Sequence, residues 1–427
     1  MLERIQRGAF DYFLHESSLT SGLVLDKTRS DWPASIAAVG LALTAYPVGV
    51  ERGFISRSAA ADRVLTALRF FWQSKQGPEA DATGYQGFYY HFLDMETGAR
   101  AWQCELSTVD SALLLAGMLT AAAYFDANAP AEREIRELAG RLYARVDWNW
   151  ARNGGLTLTH GWKPEGGFLP YRWEGYDEAL LLYVLALGSP TRPIPAESYD
   201  AWASTYEWKT VYGIEHLYAG PLFTHQLSHL WIDFRGIQDA FMRGHGIDYF
   251  ENSRRATLVQ QQHGIRNPFG YARYDEFCWG LTASDGPGNA TLVLDGRTRE
   301  FFDYVARGVP DGPDDGTVAP WAVVASLPFA PDIVLPTLSH FRRLRLGEAH
   351  PYGFKATFNP TFPRDGSPYG WVSPYHFGLN EGPMVLMIEN YRTGLVWRLT
   401  RTCPYIVAGL RAAGFTGGWL AESDPPA

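Results

Sequence analysis

The sequence has few cysteines and none in a pattern typical of metal binding. Its 427 residues include three, Cys104, Cys278 and Cys403, which are far apart and show no CxxC spacing. An odd number of widely separated cysteines does not form a complete disulfide framework, and the spacing does not match a zinc site. Cysteine usage therefore leaves the redox compartment open.

Basic clusters and long apolar runs are also scarce. The net charge is -9 and the pI is about 5.7, with no stripe of Lys and Arg. This argues against a nucleic-acid-binding protein, because phosphate contacts need clustered cations. No stretch reaches the ~18 consecutive apolar residues of a membrane span. The sequence also lacks a Walker phosphate loop and a GxSxG serine elbow.

The opening residues do not predict an export signal. The first seven, Met1–Arg7, place no apolar run behind a basic start, so we expect no signal peptide in the chain as given. If the chain is complete, this predicts a cytoplasmic location. A trimmed chain would look the same, so location stays open.

Aromatic residues are plentiful. They make up 15% of the chain, with 15 Trp, 23 Tyr and 24 Phe. The 46% of hydrophobic and 19% of charged residues are typical of a globular protein with a substantial core. Because the rings exceed what a helical core of this size usually needs, we expect some of them to line a cleft.

Apolar residues recur with a helical period in about twelve segments. Alternate segments are separated by long loops rich in Gly, Pro and aromatic residues, although most loops in compact domains have only ~4–6 residues. This alternation predicts an all-α fold, an (α/α)6 toroid of six helical hairpins, with the long loops and any short β-hairpins at one rim. The predicted helices are 2–15, 33–47, 57–74, 107–125, 131–146, 176–187, 217–234, 247–262, 319–328, 331–345, 383–396 and 402–413.

The chain shows no internal boundary. No low-complexity linker rich in Ser, Thr, Gly or Pro divides it, and the helical pattern persists to about residue 413. We therefore predict a single catalytic domain over residues 1–420 and a frayed C-terminal tail over 421–427.

The stretch 170–179 combines acids with rings directly before an apolar helix. An aromatic ring can stack on a pyranose face, and a carboxyl group beside rings loses hydration, which raises its pKa towards a general acid's range. We take Glu174 as the general-acid candidate and Tyr171, Trp173, Asp177 and Glu178 as sugar contacts. A plain acidic helix start explains the same pattern, so both interpretations stay open.

A second acidic cluster precedes the predicted helix 107–125, with Glu105 in the loop and Asp110 in the first helical turn. In a toroid, helix starts from successive hairpins meet at one rim, so this cluster is predicted to face Glu174. Glycosidic cleavage needs two carboxyl groups, ~5–5.5 Å apart for retention of configuration or ~6.5–9.5 Å apart for inversion. Simple N-capping of the helix is the alternative.

Other loops also pair rings with acids. Trp279, Trp371 and Tyr375 lie in Gly-rich loops, where large rings are hard to explain as core, so we predict that they bind sugar. Asp285 and Glu381 are predicted to join them, although an Asp-Gly pair is also a common turn.

Three histidines have candidate roles. His91 lies among aromatic residues, where it can bind a sugar hydroxyl or only make a packing hydrogen bond. His225 and His229 are spaced i, i+4 like zinc ligands, but the Glu of an HExxH motif and a third ligand are not evident. Hydrogen bonding is the favoured role for this pair.

Three stretches, Trp173–Ala179, Gly220–Arg235 and Asp248–Ser253, resemble the bacterial glucoamylase-like family. This family includes β-1,2-glucanases and a related domain of cyclic β-1,2-glucan synthases, and the resemblance extends from about residue 4 to 420. It implies an (α/α)6 fold, a glucan substrate and no metal or organic cofactor. By residue, it implies a general acid at Glu174 and a second acid at Glu105.

The resemblance does not fix the role of Glu105. Hydrolases of this kind invert configuration and the transferring relatives retain it, so Glu105 is a base, a nucleophile or a substrate-holding group. We expect a glycoside hydrolase that cleaves β-1,2-glucan with inversion to short, sophorose-type oligosaccharides. A retaining β-1,2-glucan transglycosylase and a non-catalytic glucan-binding protein are the alternatives. The resemblance further implies a periplasmic location if an export signal has been removed, and oligomeric state stays open.

Overall fold

The computed structural model describes residues 1–348, 350–364, 366–367 and 369–422, and these are mostly helical. From residue 423 onward, the predicted tail 421–427 lies outside the described residues. The α-helices of the described part are α1 (Leu2–His15), α2 (Ile36–Glu51), α3 (Arg57–Gln73), α4 (Thr108–Tyr124), α5 (Pro130–Ala144), α6 (Trp148–Ala151), α7 (Leu180–Leu187), α8 (Glu197–Ala203), α9 (Ala240–His245), α10 (Tyr249–Arg266), α11 (Pro320–Ala325), α12 (Pro331–Arg343), α13 (Gly378–Arg392), α14 (Leu395–Arg401), α15 (Pro404–Ala412) and α16 (Gly418–Glu422).

Short strands form small sheets between the helices, and all pairs of these strands are antiparallel. The strands are β1 (Ala34–Ser35), β2 (Gly84–Tyr85), β3 (Phe88–Tyr90), β4 (Phe92–Leu93), β5 (Leu106–Ser107), β6 (Gly161–Lys163), β7 (Gly167–Phe168), β8 (Trp208–Val211), β9 (Ile214–Leu217), β10 (Ala283–Ser284), β11 (Ala290–Leu294), β12 (Arg297–Phe301), β13 (Val305–Ala306), β14 (Phe358–Asn359) and β15 (Trp371–Val372). One sheet has five strands in the order β2-β3-β5-β6-β7. The fold is therefore mostly helical with small sheets, a larger strand content than the all-α prediction described.

The helices are of two kinds. Most residues of α2, α4, α7 and α13 are buried; α2, α4 and α7 are largely apolar, whereas α13 also buries Asn and Glu side chains. By contrast, α1, α5 and α12 bury only a stripe and expose charged residues. A helix that is apolar all round is stable only inside the protein, so the first group forms an inner layer and the second covers it.

The inner segments contact one another in succession. Helix α2 packs on α4 and α4 on α7, while α11 packs on α13 and α13 on α2. The segment 222–230 connects α7 to α11. Its Ser228 Oγ accepts a hydrogen bond from the Leu181 amide at 3.1 Å, and its Gln226 Nε2 donates to the Ala322 carbonyl at 2.7 Å.

The contact between α2 and α4 depends on two glycines. A Cβ atom on Gly40 would lie 2.3 Å from the carbonyl oxygen of Leu113, and one on Gly117 would lie 2.1 Å from that of Gly40. A side chain does not fit at these distances, so glycine at both positions allows the backbones to approach this closely.

Strands lead directly into these two helices. β1 ends at Ser35, whose side chain accepts a hydrogen bond from the Ala38 amide, and β5 ends at Ser107, which caps Asp110 in the same way. An N-cap of this kind fixes where a helix begins. The N-terminal ends of α2 and α4 are therefore anchored to neighbouring strands.

The predicted helix 217–234 is wrong. This stretch contains the end of β9 and two 3-10 turns, 222–225 and 228–230. The side chains of Gln226 and Ser228 are buried and bond to neighbouring helices, and these tertiary contacts compete with a regular helix. Each of the other predicted helices overlaps an observed one, whereas the short helices α6, α8, α9 and α16 were not predicted.

Candidate active site

A cavity of about 850 Å³ opens at the N-terminal ends of α2, α4, α11 and α13. This volume is towards the upper end of the range of about 300–1,000 Å³ for ligand sites, enough for several sugar units. Six carboxyl groups and a larger set of rings and cations converge there. The carboxyl residues are Asp26, Glu105, Asp110, Glu178, Asp285 and Asp303. The charged or aromatic remainder comprises Lys27, Arg29, Trp32, His91, Phe92, His160, Trp173, Phe223, Tyr304, Trp321, Trp371, Tyr375 and Phe377.

On one wall, His91 lies between two carboxyl groups. Its Nδ1 atom is 2.9 Å from Oε1 of Glu105, and its Nε2 atom is 3.6 Å from Oδ2 of Asp110. Burial lowers the pKa of His91, but the charges of Asp110, Glu105 and Asp26 outweigh this effect and raise the pKa to about 9. At neutral pH the imidazole is therefore a cation that donates a hydrogen bond from Nδ1 to Glu105 and forms an ion pair with Asp110 through Nε2.

The protonated imidazole keeps Glu105 ionised. Burial alone would raise the pKa of Glu105, but the hydrogen bond and positive charge of His91 together lower it. The Asp110 carboxyl accepts a hydrogen bond of 2.5 Å from Ser107 Oγ, which fixes its orientation in the first turn of α4. This wall thus provides an ionised, positioned carboxylate, the state needed by a base or a nucleophile.

Glu178 lines the same cavity two residues before α7 begins. Burial, together with the negative charge of Asp177, raises the pKa of Glu178 to about 8. At neutral pH the Glu178 carboxyl group is therefore protonated in most molecules. The cavity combines a protonated acid and an ionised one, the pair that general acid and base catalysis requires.

Glu174, the predicted general acid, does not line this cavity. Its side chain is exposed, and its Oε1 atom accepts a hydrogen bond from Thr157 Oγ1 at 2.8 Å. It borders a separate shallow depression of the surface. Gly175 follows with φ +85°, a backbone turn that glycine adopts readily, and the chain then turns towards the cavity. The geometry therefore does not support Glu174 as the acid.

Asp177 supports the turn before α7 instead of facing the cavity. Its Oδ1 atom accepts hydrogen bonds from the Ala179 amide at 2.9 Å and from Trp202 Nε1 at 3.1 Å. Burial raises the pKa of Asp177 to about 7. Asp177, a predicted sugar contact, does not line the cavity, and its hydrogen bonds hold the turn beside Glu178.

Trp173 forms part of the wall between the two acidic clusters. Its Nε1 atom donates to Thr108 Oγ1 at 3.0 Å, which ties the loop to the start of α4. Its ring stacks on His160 with a centroid distance of 3.9 Å. Trp173 lines the cavity as predicted, while Tyr171 is 67% exposed and lies outside it.

Asp285 and Lys27 line another part of the cavity. Lys27 Nζ is 3.9 Å from Asp285 Oδ1 and lies over the rings of Trp32, Tyr375 and Phe377 at 4.3–5.0 Å. Tyr375 and Trp371, both predicted sugar contacts, also line the cavity. Burial raises the pKa of Asp285, and the charge of Lys27 opposes this shift.

Two predicted sugar contacts are core residues. Trp279 is fully buried and its Nε1 atom donates to Thr337 Oγ1 in α12 at 3.1 Å, so its ring cannot reach a ligand. Glu381 is also buried and its Oε1 atom lies 3.0 Å from Nδ1 of His376. Its neighbour Asn380 lines the cavity in its place.

Several cavity residues were not predicted from the sequence. Asp26, Lys27 and Trp32 come from the loop after α1, and Asp303 and Tyr304 come from the loop after β12. The first group could have been predicted, because charged and aromatic residues cluster there in a stretch without helical periodicity. The second follows an exposed hairpin and has no distinctive pattern.

Metal binding finds no support among the described residues, where no group of three or more His, Cys, Asp or Glu side chains could hold an ion. His225 and His229 are buried, and burial lowers the pKa of each to about 3. His225 Nε2 is 3.0 Å from the Ala219 carbonyl, and His229 Nε2 is 3.0 Å from Ser253 Oγ. Both therefore have the hydrogen-bonding role favoured by the sequence. In the same described part, no helix is both long and apolar enough to cross a membrane.

Comparison with known proteins agrees with a carbohydrate-active site. The Glycoamylase family model, described as "Putative glucoamylase", matches residues 170–404, a stretch that includes Glu178, Asp285 and Trp371. The chain belongs to this family. The match begins at the acidic loop before α7 and ends at the start of α15.

One similar protein is the exo β-1,2-glucooligosaccharide sophorohydrolase (non-reducing end) of Parabacteroides distasonis. The two sequences are 30% identical over an alignment of 451 positions, which covers 96% of this chain and 57% of the relative. The chain thus spans little more than half the length of that relative.

Solved structures of similar proteins extend over nearly the whole chain. A glucoamylase-family protein from Bacteroides uniformis ATCC 8492 is 31% identical with a TM-score of 0.86, covering 98% of this chain and 97% of its own. The endo-β-1,2-glucanase of Chitinophaga pinensis, solved with sophorotriose and glucose, is 27% identical with a TM-score of 0.83. That comparison covers 98% of each chain.

Proposed function

We propose that this protein is a glycoside hydrolase that cleaves β-1,2-linked glucan. The observation that carries the proposal is the pairing, in one cavity, of Glu178 with its raised pKa and Glu105 with its lowered pKa. The names of the Parabacteroides and Chitinophaga relatives support β-1,2-glucan as the substrate class. The products we expect are short, sophorose-type oligosaccharides.

The proposal includes an (α/α)6 toroid that forms one catalytic domain over residues 1–420. The inner layer has six members, α2, α4, α7, the segment 222–230, α11 and α13, and their contacts lead from α2 round to α13 and back. Amphipathic helices between them in the sequence supply the outer layer. The cavity then lies at the rim where the inner segments begin, as expected for a toroid.

Glu178 is the general acid in this mechanism. A glycosidic bond breaks when the departing oxygen receives a proton as the anomeric carbon gains oxocarbenium character. Glu178 holds that proton at neutral pH because burial disfavours its charged form. It replaces Glu174 because only Glu178 lines the cavity.

Glu105 acts as the base. It accepts a proton from a water molecule that attacks the anomeric carbon on the face opposite the leaving group, which inverts configuration. His91 keeps Glu105 ionised and fixes its orientation, and Asp110 holds the far side of the imidazole. Glu105 and Asp110 are therefore linked through His91, by a hydrogen bond on one side and an ion pair on the other.

The remaining walls bind the sugar. Trp173, Trp371 and Tyr375 provide ring surface for pyranose faces, and Asp285 provides acceptors for sugar hydroxyls. Lys27 and Ser373 hold Asp285 in place, with the Ser373 hydroxyl 3.2 Å from its Oδ2 atom.

The test is to incubate the protein with linear β-1,2-glucan and follow the products by proton NMR from the first minute. Fresh reducing ends in the α form support hydrolysis with inversion. A β signal together with longer or cyclic chains would instead identify a retaining transglycosylase. If the protein binds β-1,2-glucan and no product forms, the proposed hydrolase activity is contradicted in favour of a binding protein.

A further inference from the structure

A fifth tryptophan, Trp102, lies beside the four that line the cavity. The ring of Trp102 is 4.5 Å from that of Trp32 and 5.1 Å from that of Phe92, and both of these neighbours line the cavity. Phe92 in turn stacks on His91 at 3.9 Å. The rings of Trp102, Phe92 and His91 therefore form a continuous strip from the surface to the hydrogen bond between His91 and Glu105. We call this strip the aromatic ridge.

Trp102 gains little from burial where it lies. Its side chain is 53% exposed, although large rings in a folded protein usually find a buried position. The ring contacts Trp32 and Phe92, and the rest of its surface is open to solvent. An exposed ring that continues a ligand cavity is typical of a binding surface.

The backbone holds this ring in an unfavourable conformation. Trp102 and Gln103 have φ of +54° and +51°, the left-handed region that residues with a side chain rarely adopt. Arg100 maintains the loop: its Nε atom donates to the Cys104 carbonyl at 2.5 Å and its Nη2 atom to that of Gln103 at 2.7 Å. Such a conformation persists only where the surrounding structure enforces it, and it is often found at ligand sites.

We propose that Trp102, together with Trp32, forms an outer subsite that stacks on a glucose unit of a chain extending out of the cavity. This inference rests on the proposed β-1,2-glucan hydrolase activity and adds a preference for longer chains. We expect a short oligosaccharide bound at Glu178 and Glu105 to leave the outer end of the aromatic ridge unoccupied. A longer chain reaches it, and the ring then contributes to binding without touching the reacting atoms.

The experiment measures binding separately from cleavage. The Glu178→Gln protein, in which the proposed acid is disabled, is titrated calorimetrically with β-1,2-gluco-oligosaccharides of increasing length, starting from sophorose. The same series is run after adding Trp102→Ala or Trp102→Gly. Glycine accepts a positive φ, so Trp102→Gly removes the ring and relieves the backbone, while Trp102→Ala removes the ring alone.

We expect the affinity difference between the parent and both Trp102 variants to grow with chain length, reaching about tenfold for long chains. Tyr391→Ala, which removes a ring that is 41% exposed at the other end of α13, is the matched control and should match the parent at every length. Equal losses in the alanine and glycine variants would assign the effect to the ring. The melting temperatures of all variants show that they are folded.

Other outcomes overturn the inference. Affinity could increase with oligosaccharide length in the Trp102 variants as steeply as in the parent. Alternatively, the variants could lose the same factor of affinity for every oligosaccharide, including sophorose. Absence of binding to any β-1,2-glucan would also overturn it. A wild-type protein that binds long chains through Trp102 but releases no product would contradict the proposed hydrolase activity while leaving the outer subsite intact.

Discussion

Glu174 and Glu178 lie four residues apart in one loop, and their surroundings are opposite. Glu174 is exposed and bonds to Thr157 at the border of a shallow surface depression. Glu178 faces the large cavity, where burial raises the pKa of its carboxyl group to about 8. The turn at Gly175 separates the two side chains. A motif therefore indicates a region of the molecule, and the backbone decides which of its acids lines the cavity.

The largest expected effect on turnover comes from replacing Glu178 by glutamine, with the same replacement of Glu174 for comparison. We expect Glu178→Gln to lower kcat on β-1,2-glucan by about 10²–10⁴-fold, because an amide cannot donate the proton that a positioned acid supplies. Glu174→Gln removes an acid of the same size at an exposed position and should keep near-normal turnover. Initial rates of reducing-end formation measure both.

One result would contradict the assignment of Glu178 as the acid. If Glu174→Gln were the inactive variant and Glu178→Gln retained turnover, the acid would lie outside the cavity, contrary to the proposed mechanism. A melting temperature for each variant separates a lost proton donor from a lost fold.

The two acids also show how much of the site the sequence predicts. Helices α4 and α7 were predictable because they are largely apolar, and acids near their starts were predicted to face one site. The cavity does bring Glu105, Asp110 and Glu178 together. The proposal of Glu178 in place of Glu174 rests on which side chain lines the cavity, and a one-dimensional pattern does not contain that information.

Large rings in loops were a weaker guide. Trp371 and Trp279 both lie in Gly-rich stretches, but Trp371 lines the cavity and Trp279 is fully buried against Thr337. The difference depends on long-range packing with α12. The cluster around Lys27 was overlooked because it lies in an irregular loop that was not connected to the other acidic segments.

The second largest effect is expected for Glu105, the proposed base. Glu105→Gln should lower kcat by about 10²-fold or more, since the amide cannot accept a proton from the attacking water. Glu96→Gln, at an exposed position of the preceding loop, is its control. Turnover of the Glu105→Gln protein within a few-fold of wild type would remove Glu105 from the role of base.

Trp279 in the core and Trp371 in the cavity are also expected to differ in their contribution to stability. Trp279→Ala should lower the free energy of unfolding by about 3–5 kcal/mol, because it leaves a cavity and removes the hydrogen bond that Trp279 Nε1 donates to Thr337 Oγ1. Trp371→Ala should instead raise KM with a smaller effect on unfolding, since its ring lines the sugar cavity. Denaturant titration and steady-state kinetics measure the two effects. Similar losses of stability in both variants would contradict the distinction.

The smallest effect is a pH dependence that again separates Glu178 from Glu174. A general acid must be protonated, and burial raises the pKa of Glu178 to about 8, so kcat/KM should fall about tenfold per pH unit above pH 8. The base must be ionised, and His91 lowers the pKa of Glu105, so the acidic limb should lie below the ordinary carboxyl range. Glu174→Gln should keep both limbs in place. An alkaline limb that moves in this variant would show that the titrating acid is not Glu178, because the exchange at position 174 leaves the surroundings of Glu178 in the cavity unchanged.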